Sequence, residues 1–241
     1  MQFEEKSREV RMLTFAHDRA LNLNEARGTL HALKDHIGTV KYHILFLRYY
    51  RALFETAREL GLRTMADFKI LQPHGTTRNL LKELLWLQAD SATIHLMGGS
   101  RQVRAALDTV GDRMTLYGVT VPTDIDQDTM NRELRIPGTV LDQVLHLINL
   151  GLDNGLTHFV CSAKLAPEVR KRFGNSAILL SPGIRFKGSL ADMHDPEQVA
   201  TPYEAALHAD EIVMGTELLR GGIKAADRAL AEIRRALADT D

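Results

Sequence analysis

Cysteine is almost absent: Cys161 is the single one in 241 residues. No disulfide can therefore form within the chain, a usage that fits a reducing cytoplasm. An excess of either charge is also missing, with 30 Lys and Arg against 31 Asp and Glu and a net charge of -1. Such a balance supplies no broad basic face for nucleic acid or for an anionic membrane, so neither partner is expected. No apolar run reaches the ~18 residues that a membrane span needs. The opening MQFEEKSREVR is charged and has no apolar h-region, so no signal peptide is expected. No Gly-x-Gly-x-x-Gly follows the first apolar run, and no P-loop sequence occurs, which weakens an open nucleotide-binding sheet as the architecture. No linker, low-complexity tract or composition step divides the chain, and residues 1–241 are read as one domain.

What is present is alternation. Short apolar runs stand at Met12–Ala16, Thr39–Tyr42, Thr64–Lys69, Ala92–His95, Thr115–Thr120, His158–Cys161, Ala177–Ser181 and Glu211–Met214. Between most of them lie segments with apolar residues at three-and-four spacing. Leu45, Leu53, Ala57 and Leu60 form one such face, and Leu80, Leu81, Leu84, Leu85 and Leu87 another. Strands alternating with helices imply βαβ units and a parallel sheet. Eight such units point to a closed (β/α)8 barrel, for which 241 residues is a usual length. The Thr-, Asp- and Pro-rich stretch Val121–Gly138 reads as an active-site loop with some helix.

In a barrel of this kind the C-terminal strand ends face the site. Here those ends carry Asp18, Lys41, His43, Asp67, Lys69, His95, Thr120, Ser162 and the run Ser181-Pro182-Gly183. Asp67 and Lys69 are two apart, which strand periodicity places on one face, and Lys41 ends the preceding run. Opposed charges keep all of these groups ionised. A lysine beside a carboxylate can deliver a proton to a developing carbanion, and a fixed anion facing a substrate carboxylate favours its loss. The array therefore suits decarboxylation without metal or organic cofactor. A simple salt bridge at a strand end is the plain alternative, since Asp-x-Lys is a common sequence.

The same residues resemble a known family. Ala66-Asp67-Phe68-Lys69 with Thr76 beyond it is similar to the Asp-x-Lys-x-x-Asp-Ile-x-x-Thr motif of orotidine 5'-phosphate decarboxylases. Ala16-His17-Asp18 stands where the family has Ala-x-Asp, whose Asp contacts the ribose, and Val40-Lys41 matches its Val-Lys. Thr93-Ile94-His95 with Gly98-Gly99 resembles its Val-His-x-x-Gly-Gly. Val160-Cys161-Ser162-Ala163, Leu180-Ser181-Pro182-Gly183-Ile184-Arg185 and Val199-Ala200-Thr201-Pro202 are close to bacterial versions. The resemblance runs along nearly the whole chain. It implies a homodimeric, cofactor-independent decarboxylase in which Lys69 is the proton donor, Asp67 the anion against the substrate carboxylate, and Lys41 the residue orienting Asp67 and the ribose. It also implies no metal, because the related metal-using sugar-phosphate enzymes carry a Glu where this sequence has Lys41.

Several positions depart from the family pattern. Gln72 stands where the family has its second Asp, contributed across the dimer, and Pro73 follows it in place of Ile; Gln72 and Thr76 are expected to reach the partner's site. Gly215-Thr216 replaces a Gly-Arg whose Arg pairs with the 5'-phosphate, and Lys187 is aligned with a phosphate-binding Gln. Arg220 is a possible substitute for the missing Arg. Thr123 or Asp124 aligns with a Ser that reads the pyrimidine edge, and His43 replaces a Gly. Substrate contacts are thus expected from Asp18, His43, Thr76, His95, Thr123, Asp124, Ser162, Pro182, Gly183, Lys187, Gly215 and Thr216. Two other readings stay open: a divergent enzyme acting on another carboxylated nucleoside or sugar-phosphate-like substrate, and a non-catalytic nucleotide-binding barrel. Of the remaining residues, His95 reads more simply as a packed strand-end histidine and Cys161 as buried packing. The segment around Trp86 reads as helix core or dimer contact, and Arg234 and Arg235 as the solvated face of a final helix.

Overall fold

The computed structural model describes residues 2–19, 22–43, 48–188 and 199–240. Eight parallel strands close into a barrel in sequential order: β1 (Leu13–His17), β2 (Thr39–His43), β3 (Arg63–Ile70), β4 (Ser91–His95), β5 (Thr115–Val119), β6 (His158–Val160), β7 (Ile178–Ser181) and β8 (Glu211–Met214). Each coincides with one of the eight apolar runs, with ends differing by a residue or two. The seam is formed by β8 on β1, with Leu13 opposite Ile212 and Phe15 opposite Met214.

A short helix α1 (Arg8–Met12) precedes the barrel, and α2 (Leu23–Leu33), α3 (Tyr50–Glu59), α4 (His74–Trp86) and α5 (Gly99–Val110) follow the first four strands. Then come α6 (Val140–Asp153), α7 (Ala166–Phe173), the short α8 (Pro202–Ala206) and α9 (Thr216–Thr240), which is kinked at Gly222 with φ 54°. Their starts carry local signals. Asn22 accepts the Glu25 N–H, and Thr139 with Asp142 and Thr201 with Glu204 form reciprocal capping boxes. The expected helix faces are buried at Leu53, Ala57, Leu81 and Leu84, whereas Leu45 lies outside the described residues. Trp86 departs from the core expectation: it is 66% exposed and lies beside the Arg51 guanidinium, 5.5 Å from its ring centre. It ends α4, on the side turned away from the strands. Among the described residues no helix is long and apolar enough to cross a membrane.

Apolar side chains pack in two places. The larger body lies between strands and helices, where Phe15, Tyr42, Phe54 and Phe159 are fully buried. A small inner layer of Ala16, Met65, Tyr117, Leu180 and Val213 plugs the barrel at mid-height. That plug divides the lumen into two mouths. The upper one, at the C-terminal strand ends, is lined on one side by Val121, Pro122, Thr123 and Asp124, which begin the loop of residues 121–138 with its one wide helical turn at Thr129–Glu133. Side chains close it on itself: Gln127 Nε2 and Asn131 Nδ2 donate to the Gly138 carbonyl at 2.8 and 3.0 Å. An 18-residue connection is thereby held in one shape without a core of its own.

Phe159 sits on β6 with no exposure and presses on Gly151 of α6, where an added Cβ would lie 2.5 Å from its ring. Phe159→Ala is expected to lower the unfolding free energy by roughly 3–5 kcal/mol, read from the urea midpoint. A loss below about 1 kcal/mol would mean that this strand is not clamped as described.

Candidate active site

The upper mouth opens into a cavity of about 310 Å³. Its charged centre comes from three consecutive strands. Lys41 on β2 donates from Nζ to Asp67 Oδ2 at 2.6 Å, and Lys69 donates to the same oxygen at 2.8 Å. Thr93 on β4 donates from Oγ1 to the other carboxylate oxygen at 2.9 Å. Lys41 also lies 3.4 Å from Asp18 Oδ1, just past the end of β1. Asp67 and Lys41 are 5% and 9% exposed, so water does little to screen them.

Simple alternation along β3 is not how Asp67 and Lys69 come to meet. The register with β4 slips between Ala66 and Ile70, and Lys69 takes φ 46°, a left-handed conformation unusual for lysine. Its N–H, displaced from regular pairing, donates to Thr93 Oγ1 at 2.8 Å. A bulge of this type re-aims a side chain, here swinging the Lys69 amine back onto Asp67. Left-handed backbone at a non-glycine costs on the order of 1–2 kcal/mol, and the ion pair and the Thr93 bond hold it in place.

Burial alone would push the Asp67 carboxyl up. Lys41 and then Lys69 outweigh it and hold the group down at about 2. Burial likewise disfavours the Lys41 cation, but Asp67 and Asp18 raise its pKa above the usual lysine range. Asp67 and Lys41 are therefore both charged at neutral pH. Lys69 differs from Lys41 in access, with 43% of its side chain exposed against 11%. The arrangement is an anion fixed at the cavity floor beside one locked and one reachable ammonium group.

The remaining expected residues divide. Asp18, Thr123, Asp124, Ser162, Pro182, Gly183, Gly215 and Thr216 all line the cavity. Gly215 has a steric reason to be glycine, because a Cβ would lie 3.2 Å from the Ala16 carbonyl oxygen where the last strand closes on the first. His43, Gln72, Thr76, His95 and Lys187 lie outside the wall. Half-buried His43 ends β2, while Gln72, Thr76 and Lys187 are exposed. His95 is buried, its Nδ1 accepting the Met97 N–H at 3.3 Å, and burial together with Lys69 lowers its pKa, so it is the neutral packed histidine of the plainer reading. Cys161 is 1% exposed and burial pushes its thiol up to about 12, as suits packing. Sequence reasoning passed over Arg185, which lines the cavity and anchors one guanidinium nitrogen on its own Ile184 carbonyl at 2.9 Å. The signal was in plain view, three residues past Pro182 in the run after β7. Among the described residues no group of three or more His, Cys, Asp or Glu is placed to hold a metal ion.

A sequence profile of the orotidine 5'-phosphate decarboxylase / HUMPS family matches residues 13–230. The chain is 33% identical over 177 residues to the orotidine 5'-phosphate decarboxylase of Geobacillus sp. (strain WCH70), covering 70% of this chain and 73% of that one. It is 31% identical over 204 residues to the orotidine 5'-phosphate decarboxylase of Wolbachia pipientis subsp. Culex pipiens (strain wPip), covering 80% and 85%. Among solved structures, an uncharacterized conserved protein from Geobacillus kaustophilus superposes with a TM-score of 0.77 at 24% identity, covering 92% of this chain and 99% of that one. The orotidine 5'-phosphate decarboxylase of Lactobacillus acidophilus does so with 0.77 at 22%, with the same coverages. At these identities the two structures bear on the fold.

An Asp67 carboxyl held at about 2 lies below an unfolded value of about 3.9, so its stabilisation is fully present above roughly pH 4 and fades as pH falls through about 2. Asp67→Asn is expected to lower stability at pH 7, with roughly 2–3 kcal/mol of the difference disappearing as the pH falls from about 5 to about 1. Urea unfolding midpoints of both proteins across that range measure it. A difference that does not change with pH would contradict the electrostatic account.

Proposed function

Because the chain belongs to the orotidine 5'-phosphate decarboxylase / HUMPS family, we propose that it is a carboxy-lyase that converts orotidine 5'-phosphate to uridine 5'-phosphate without a cofactor. The observation that carries this reading is the shared carboxylate: Asp67 is bonded to both Lys41 and Lys69 at the floor of a cavity in a barrel's C-terminal mouth. With the substrate carboxylate lodged against Asp67, two anions face each other in a poorly screened place, and loss of carbon dioxide relieves that repulsion. The carbon–carbon bond breaks, its electron pair stays on the ring carbon, and Lys69 supplies the proton that the carbon takes up. Because the Lys69 amine is partly exposed, solvent can return the proton. Lys41 stays buried, orienting Asp67 and holding Asp18 for the sugar hydroxyls. The loops after β7 and β8 are where barrels commonly grip phosphate. Here Arg185 and the backbone at Gly215 and Thr216 fill that place, so the cation absent from the eighth strand is replaced by one after the seventh.

Two copies of the chain complete the assembly in this reading. Gln72 and Thr76 are exposed beside the mouth and outside its wall, as residues serving a partner's site would be. Leu71, Met97 and Leu134, on the connections after β3, β4 and β5, are 52%, 43% and 46% exposed. Large apolar side chains at a rim are the kind of surface that a second copy covers. The lone buried Cys161 suits a reducing cytoplasm.

Spectrophotometric assay of orotidine 5'-phosphate consumption tests the activity. Lys69→Ala is expected to reduce kcat by about 10²–10⁴-fold, the usual weight of a positioned general acid. Arg185→Ala should instead raise KM by about tenfold or more while changing kcat less, as loss of a charge-assisted contact does. If the native protein turns over no faster than the Lys69→Ala variant, it is not this enzyme. Leu71→Asp is expected to convert a dimer to a monomer in light scattering, and an unchanged mass would remove this rim from the interface.

A further inference from the structure

The opposite mouth of the barrel holds a larger cavity, of about 500 Å³, that the proposed reaction does not use. Its floor is the underside of the mid-height plug, where Tyr117 donates its hydroxyl to Glu211 at 2.6 Å. The hydroxyl-bearing residues Thr39, Ser91 and Thr115 stand in the surrounding wall, and Arg8, Arg11 and Arg63 line the cleft as well.

Among the described residues, Arg11 and Arg63 form no close ion pair with the carboxylates that line the cleft. Asp90 and Asp210 also line the cleft, but both are engaged by backbone and neighbours. Asp90 Oδ2 accepts the Thr64 N–H and hydroxyl, each at 2.8 Å, and Asp210 Oδ2 accepts the Leu179 N–H at 2.7 Å and Arg170 at 2.8 Å. Arg11 lies 3.8 Å from Glu4, a distant pairing between side chains 40% and 74% exposed. Arg63 makes no ion pair among the described residues, and its guanidinium lies 4.5 Å over the Phe3 ring. Burial raises the Glu211 pKa, and the Tyr117 hydroxyl and the Arg63 guanidinium act against it.

The rim carrying these arginines is anchored. Gly38 has no room for a Cβ, which would fall 2.8 Å from Arg11 Cα and 2.9 Å from the Phe3 ring. Lys6, between Phe3 and Arg8, is 5% exposed and donates its amine to the Lys34 and Ile37 carbonyls at the end of α2. Buried ammonium groups placed at a helix C-terminus are stabilised by its dipole. The N-terminal segment is thus held across the mouth as a wall, with a planar cation fixed on an aromatic face. Guanidinium groups suit phosphate oxygens, and hydroxyls beside a carboxyl group suit a polyol.

We propose that this second mouth binds a small hydroxylated phosphate monoester, with its phosphate at Arg11 and Arg63 and its hydroxylated body towards Tyr117 and Glu211. The site is separate from the Lys41–Asp67–Lys69 centre, being divided from it by the Met65, Tyr117 and Leu180 layer.

Calorimetric titration of ribose 5-phosphate into the intact chain tests this, using Arg185→Ala protein so that the cation of the upper mouth is missing. Binding should persist in that background. Adding Arg63→Ala should weaken it by about tenfold or more, the scale of one lost charge-assisted contact. Arg11→Gln, at an exposed position that leaves the Phe3 packing intact, should weaken it in the same direction, with thermal melting confirming that each variant is folded. Absence of binding at millimolar concentration in the Arg185→Ala background would overturn the proposal. So would binding that neither rim change moves. Neither result depends on whether the upper mouth decarboxylates anything.

Discussion

A single buried carboxylate answering two ammonium groups is the constraint around which this barrel's upper mouth is arranged. Asp67 would be costly to bury alone, and so would Lys41. Their attraction compensates only when β2 and β3 run parallel in the register that sets His43 beside Asp67. The third partner, Lys69, reaches the same oxygen because β3 bulges, and Thr93 on β4 absorbs both the displaced N–H and the second carboxylate oxygen. Strand pairing, local distortion and charge are therefore one problem with one solution. Loss of Asp67 would leave the buried Lys41 with only the 3.4 Å contact to Asp18.

Much of this was legible in the sequence because barrels write their strands as short apolar runs at even spacing, and all eight runs became strands. The charged residues at their ends were legible for the same reason: a lysine or aspartate closing an apolar run has few places to point except into a mouth. Asp18 and Ser162 reach the cavity wall for this reason, whereas Asp124 was expected there only from the family alignment. What stayed hidden was local backbone geometry. Nothing in Met65-Ala66-Asp67-Phe68-Lys69 announces a left-handed lysine, since only the Asp67 and Thr93 contacts make that conformation worth its strain. Residues beyond strand ends were harder still. Lys187 and Arg185 differ by two positions in a loop with no periodicity to orient them, and only Arg185 turns inward. Of the two readings of the segment around Trp86, helix core fails at Trp86 itself, whose exposed ring leaves dimer contact open.

The two mouths show how one scaffold keeps different chemistry at either end. The upper mouth concentrates opposite charges within hydrogen-bond distance, which fixes geometry at the expense of net field. The lower mouth spreads Arg11 and Arg63 around a rim on which Asp90 and Asp210 are bonded to backbone and neighbours. Between them a thin apolar layer only one side chain deep prevents the two polar volumes from joining into a channel. Tyr117 belongs to both worlds, with its ring in that layer and its hydroxyl on Glu211.

The seam between β8 and β1 adds a consequence for how the molecule is made. Asp18 and the Gly215 turn, which stand side by side in the finished cavity, come from opposite ends of the chain, and Gly215 touches Ala16 only after the ring shuts. Contacts of such long sequence separation form late and slowly. A ribosome-bound nascent chain therefore carries most of its polar centre, from Lys41 to Thr93, well before it owns the Arg185 and Gly215 side of the cavity. Partial products cut anywhere before residue 211 would expose that charged centre to water as an open sheet, inert and with two unpaired edges.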